Sequence, residues 1–256
     1  MANHFIDRTG EINVNKYNTL MLIIEYNSSN DIIVEFQDSY KYKVHTSYKN
    51  FKNGAVRNVY DKTVYGVGMF GEGKYDRVNY LKLYNTWQHM FRRCYDPYTL
   101  NKDMSYIDCF VDERFHNLQD FGKWFEENYY EVNDEVMCLD KDILCKNNKI
   151  YSPETCIFVP ERINKLFIRN ISQRKNLPMG IQYRVDRNKY IARCNIVENG
   201  MEKRVQIGQF DTVEEAFYNY KNFKEGYIKI VADEYKNKIP NKIYEAMYNY
   251  IVEWDD

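Results

Sequence analysis

Residues 161–210 hold eleven Lys and Arg against four Asp and Glu, a local excess of +7 in a chain whose formal net charge is -1. The flanks, residues 1–160 and 211–256, each sum to -4. Basic charge concentrated on one segment is the chemistry of phosphate binding, because each Lys or Arg that neutralises a phosphate releases a condensed counterion. A solvated sheet face carries the same charges. Other chemistry is thinner. Cys94, Cys109, Cys138, Cys145, Cys156 and Cys194 include no CxxC or CxH pair, so zinc is not expected and reduced thiols are. The glycines of GVGMFGEG lack the Lys-Ser/Thr and helix start of a phosphate-binding loop, and read as a flexible connector. Of the histidines, His4, His45, His89 and His116, none lies in the later hairpin; His89 stands beside Arg92 and Arg93 on a helix, His116 just before the next, and both read first as structural. Asp140 and Asp142 flank Lys141; by themselves they read as strand-end charges that cap or pair with Lys141 and Lys149.

A chain of 256 residues with 44% hydrophobic and 16% aromatic residues has material for two or three packed units, which excludes a disordered chain. The pattern is α+β. TLMLIIEY and DIIVEFQD are β-branched runs around NSSN, and with YKYKVHTSY they form a β module over 1–65. It packs most compactly as a small β-barrel, with an open meander as the alternative. A connector is expected near 61–76. Residues 77–170 read as helix, hairpin, helix: Leu81, Tyr84, Trp87 and Phe91 recur at helical spacing, as do Leu118, Phe121, Trp124 and Phe125 within 117–130. MCLDKDILCKNNKIYSPETCIFVP supplies two strands about a polar turn at 146–149, and ERINKLFIRN a further helix opened near Pro160. Over 177–256, MGIQYRVD, KYIARCNIV and KRVQIGQF are three strands with turns at Arg187-Asn188 and Glu198-Asn199-Gly200. A long helix capped by Asp211-Thr212 and a short one from Pro240 follow. Tyr at 25 and Asn at 28 point to a low-GC genome, bacterial or phage, hence to a bacterial cytoplasm. The start MANHFIDRTG has neither the basic start nor the apolar core of a signal peptide, so none is expected, and no apolar run reaches the ~18 residues of a membrane span, so no membrane partner is expected.

G-I-Q-Y-R, K-Y-I-A-R-C-N and K-R-V-Q-I-G-Q-F-D-T-V-E-E-A-F-Y-N-Y together resemble the AP2 DNA-binding domain. There, three strands end in a Gly-x-Phe-Asp-Thr turn before a helix that begins Glu-Glu-Ala. The resemblance implies a three-stranded sheet lying in the major groove of double-stranded DNA. Carried onto this chain, it nominates Gln182 and Arg184, Arg193 and Asn195, and Arg204 and Gln206 as DNA contacts. Each pair is spaced by two, as one strand face requires. Arg suits guanine edges, and Asn or Gln suits adenine.

W-Q-H-M-F-R-R-C-Y, L-D-K-D-I-L and Y-S-P-E-T-C-I-F-V-P-E-R-I-N resemble phage-encoded HNH-type proteins that join this unit to an AP2 domain, homing endonucleases among them. The resemblance implies a ββα-metal unit with Mg²⁺ or Mn²⁺ held by Asp140, Asp142 and Asn164. Asn164 comes 24 residues after Asp140. It puts Lys141 at the position of the general-base His and Glu154 or Thr155 at that of the central Asn, leaving Asp142 or His89 as substitute catalytic groups. Two functions follow as expectations. One is a site-specific, metal-dependent DNA endonuclease. The other is a catalytically inactive DNA-binding regulator, or an inhibitor that binds a host defence protein complex.

Overall fold

The computed structural model describes residues 6–168, 177–198 and 201–254. The chain forms two compact units, one of Met1–Asp96 with Val111–Glu127 and one of Pro97–Phe110 with Asn128–Asp256. Both mix helices and strands, so the chain is α+β. The stretch 77–170 contributes to both units: its first two long helices lie in one, its hairpin in the other.

The first unit opens with β1 (Ile12–Val14), β2 (Leu20–Ser28), β3 (Asp31–Phe36) and β4 (Lys43–Thr46), an antiparallel sheet in chain order. Strict alternation buries Ile32, Val34 and Phe36 of β3 against Met21 and Ile23 of β2, and Phe51 of helix α1 (Tyr48–Lys52) joins the same core. The sheet is an open meander, not the expected barrel: β1 and β4 are its two edges. With β1 only three residues long and β4 four, and one face already filled by Phe51 and Val56, the strands lack the length and stagger that closure needs.

Residues 61–76 are not a flexible connector. They lie against α2 (Leu81–Tyr95) and α4 (Leu118–Asn128) within the same unit, which forces the glycines. A Cβ on Gly68 would stand 3.0 Å from the ring of the fully buried Trp87, whose Nε1 donates to Phe115 O at 2.8 Å. Gly71 has φ +66° and sits on the Asn117 amide. The buried Gln119 side chain stitches the segment down, donating to Phe70 O and Tyr75 O and accepting from Tyr75 N.

In the second unit, after α3 (Pro97–Lys102) and Phe110, the first residue of the short β5 (Phe110–Val111), β6 (Met137–Asp140) pairs antiparallel with β8 (Ile157–Pro160). The expected turn at 146–149 therefore does not join the paired strands. Sixteen residues intervene, and within them β7 (Ile150–Tyr151) turns aside, with Lys149 O accepting from Phe110 N. Helix α5 (Glu161–Leu166) is shorter than the sequence suggests, and residues 169–170 lie outside the described residues.

β9 (Ile181–Arg184), β10 (Lys189–Glu198) and β11 (Met201–Phe210) form an antiparallel sheet in the order β11-β10-β9. The turn at Arg187-Asn188 is present, with Asn188 at φ +49°; Asn199 and Gly200 fall outside the described residues. Thr212 caps α6 (Val213–Tyr235) by accepting from Glu215 N, and Glu214 and Glu215 lie in the first turn, where the helix dipole favours them. α6 is the spine of this unit. Its first half packs Ala216 and Tyr220 on Ala192 and Cys194 of β10. Its second half packs Ile228, Val231 and Tyr235 on the hairpin's Ile157 and Val159, on Ile163, and on α7 (Asn241–Tyr248).

Candidate nucleic-acid interface and the Asp140 turn

Cross-strand register decides which side chains share a face. Tyr190↔Tyr183, Ala192↔Ile181 and Cys194↔Val205 are opposed pairs, and Ala192 and Cys194 belong to the core under α6. The alternate pairs therefore face away from α6: Lys189↔Arg184, Ile191↔Gln182, Arg193↔Gln206 and Asn195↔Arg204. A bulge between Ala192 and Arg193 absorbs Ile207 into the core and keeps Gln206 and Arg204 on the outer side. All six residues nominated as DNA contacts thus lie on one sheet face, opposite the helix. Arg193 Nη1 donates to Gln182 Oε1 at 3.3 Å, a contact across two strands.

The charge on this face is distributed less evenly than the sequence suggests. Asp186, two residues past Arg184 in the hairpin turn, takes its guanidinium at 2.9 and 3.1 Å in a bidentate fork. That fork holds the Arg184 pKa above its ordinary value and the Asp186 pKa below. Lys189 pairs with Asp211, and Lys165 lies between Glu161 and Glu202. Among the described residues, Arg193 and Arg204 are the outward arginines with no carboxylate partner. Of the eleven basic residues in 161–210, Arg169, Arg174 and Lys175 lie outside the described residues.

The hairpin residues form a self-satisfied turn. Asp140 Oδ1 accepts from Asp142 N at 2.7 Å and Ile143 N at 2.8 Å, closing an Asx turn where β6 ends. Burial pushes the Asp140 carboxyl pKa above its ordinary value, against the pull of those two backbone N–H groups. Lys141 is 5% exposed, and its Nζ donates at 2.7 Å both to Asp142 Oδ2 and to Asn148 O. An ammonium held in both bonds has no lone pair for a water, so the residue that the HNH resemblance puts at the base position makes a crosslink instead. Asn148, which sequence reasoning missed, completes it by donating to Lys141 O and Ile150 O and accepting from Ile150 N. Thr155 Oγ1 donates to Ile150 O.

The donors as arranged do not fit Mg²⁺ or Mn²⁺. The Lys141 ammonium already supplies, 2.7 Å from Asp142, the positive charge a divalent ion would bring. Asp140 commits Oδ1 to two backbone donors, which leaves at most Oδ2 for an ion and rules out bidentate binding in this arrangement. Asn164 lies half-buried on α5. Among the described residues, no three His, Cys, Asp or Glu side chains are grouped to hold a metal. His89 belongs to α2 in the other unit, and burial with Arg92 and Arg93 lowers its pKa. His116 Nε2 lies 3.0 Å from Val111 O, a structural contact in that same unit.

Compared with protein-family models, curated proteins and solved structures, the chain gives no match. Among the described residues, no helix is long and apolar enough to cross a membrane.

Proposed function

We propose that the chain binds double-stranded DNA through the outer face of the β9–β11 sheet, as its resemblance to the AP2 domain implies. We further propose that its hairpin is an HNH-derived scaffold of phage type without hydrolytic chemistry. The observation that carries the first reading is the register: Gln182, Arg184, Arg193, Asn195, Arg204 and Gln206 share one face while the opposite face is packed on α6. Strands about 4.8 Å apart make a three-stranded face roughly 10 Å across, against a major groove about 12 Å wide. The face mixes two uncommitted arginines, which suit phosphates or guanine, with amides that suit adenine. The second reading rests on Lys141, whose ammonium neutralises Asp142 from within the fold.

Titration of a labelled duplex should show saturable binding that weakens with salt, whether or not EDTA is present. Absence of duplex binding at low salt overturns the first reading. Plasmid incubated with Mg²⁺ or Mn²⁺ should stay intact; cleavage that disappears in Asp140→Ala would restore the nuclease and overturn the second.

A further inference from the structure

Lys224 interrupts the buried stripe of α6. Ala216, Tyr220 and Ile228 stand at four-residue spacing on the helix face that meets the sheet, and Lys224 fills the same series at 8% exposure. Among the described residues its Nζ has no hydrogen bond and no ion pair, and its titratable neighbour is the Cys194 thiol of β10. Burial holds its pKa below the ordinary lysine value. Such a group is costly in an apolar seam unless a counter-ion reaches it.

One can. Lys224 lines a cavity of about 950 Å³, within the size range of small-molecule sites. The cavity runs beside β10 where β9 stops pairing at Ala192↔Ile181. Gly180 O, bonded to Arg193 N, and the Tyr227 hydroxyl, bonded to Val197 N, bracket the open stretch of strand. Arg162, Arg193 and Arg204 also line it, whereas Glu202, already shared with Lys165, is the carboxylate of the lining. Arg162 is itself already engaged, its Nη1 holding Glu234, and its unpartnered Nε is closed off from the cavity. A lysine with no ion-pair partner among the described residues and a surplus of arginine around one cavity describe a receptor for negative charge.

We propose that this cavity binds a small oxyanion-bearing molecule, its phosphate or carboxylate paired with Lys224. The ammonium of Lys224 is the charge partner. Tyr220 and Tyr227 wall the same space and suit a flat organic remainder. The cavity shares Arg193 and Arg204 with the proposed DNA face, but Lys224 approaches from the helix side of the sheet, so Lys224→Met distinguishes the two readings.

The test uses the full chain with inorganic phosphate and citrate as probes, against chloride at equal ionic strength. Either probe should raise Tm saturably, by roughly 5–10 °C at about 100 times its Kd. Lys224→Met should lose that response while keeping its duplex affinity. In the unsubstituted protein, the same probe should protect Lys224 from reductive methylation, read by peptide mass spectrometry, while exposed Lys229 remains labelled. The proposal is overturned if neither probe shifts Tm, if Lys224→Met responds like the parent, or if methylation of Lys224 is indifferent to the probe. The last readout does not depend on the folding of any variant.

Discussion

Replacing Arg193 and Arg204 together by Ala should weaken duplex binding and flatten its salt dependence. On the outer face, Arg184 is clamped by Asp186 and Lys189 is paired with Asp211. Arg193 and Arg204 are then the outward arginines, among the described residues, whose charge is not already spent on a carboxylate. Each phosphate neutralised contributes about 0.9 to the slope of log K against log salt, so the double variant should lose about 1.8 if both arginines meet phosphates. An arginine that reads a guanine edge instead takes about 1–3 kcal/mol with it and leaves the slope nearly unchanged. Asp186→Ala gives the reverse effect: it frees Arg184 and should add up to about 0.9 to the slope. The assay is fluorescence anisotropy with a duplex of about 30 bp between roughly 50 and 200 mM salt. Circular dichroism checks that each variant keeps its fold. If the double variant retains both slope and affinity, the sheet face is not the interface, since the remaining cations there already hold carboxylates.

Asp140→Asn keeps the oxygen that closes the Asx turn and removes a buried charge, so thermal unfolding at neutral pH should show stability equal to or above the parent's. Asp140→Ala orphans two backbone N–H groups and should cost about 2–4 kcal/mol; equal losses in both variants would show that charge, not the turn, is what the site needs. Gly71→Ala demands a side chain at φ +66° and drives a Cβ to 2.2 Å from Asn117 Oδ1, which accepts from Gln119 N at the start of α4. A loss of about 2–4 kcal/mol in urea unfolding is expected from the strain and the disturbed cap. Gly226→Ala, in the interior of α6 with open space around it, should gain up to about 1 kcal/mol by the same measurement. The depressed pKa of Lys224 means that the unfolded chain binds more protons there than the folded one. Without ligand, stability should rise with pH from the lowered folded value toward 10.5, and Lys224→Met should remove that rise in a pH series of Tm.

The strands of the C-terminal sheet, their alternation and the Thr212 cap were legible in the sequence, because each depends on neighbours two to four residues away. The common side of Gln182 and Arg184, of Arg193 and Asn195, and of Arg204 and Gln206 followed from that same period of two; that the three pairs share one sheet face was decided by the cross-strand register and its bulge. Lys224 was legible too, as the third member of an Ala216-Tyr220-Lys224-Ile228 series, but only to a reading that asks why a lysine stands in an apolar stripe. What needed the tertiary structure was every pairing across longer gaps. Strand β6 meets β8 rather than the nearer β7, and the glycine segment that reads as a connector is pressed on Trp87 and Asn117. Composition placed +7 on one segment, but ion pairs formed in space spent much of it and left Arg193 and Arg204 uncommitted. In the same way, Lys141 stands beside Asp142 in the sequence, while the bond to Asn148 O that makes it a crosslink exists only once the loop has closed. Local periodicity is written in the order of residues; which charge meets which partner is decided by packing, where a buried polar group must find an acceptor or go without.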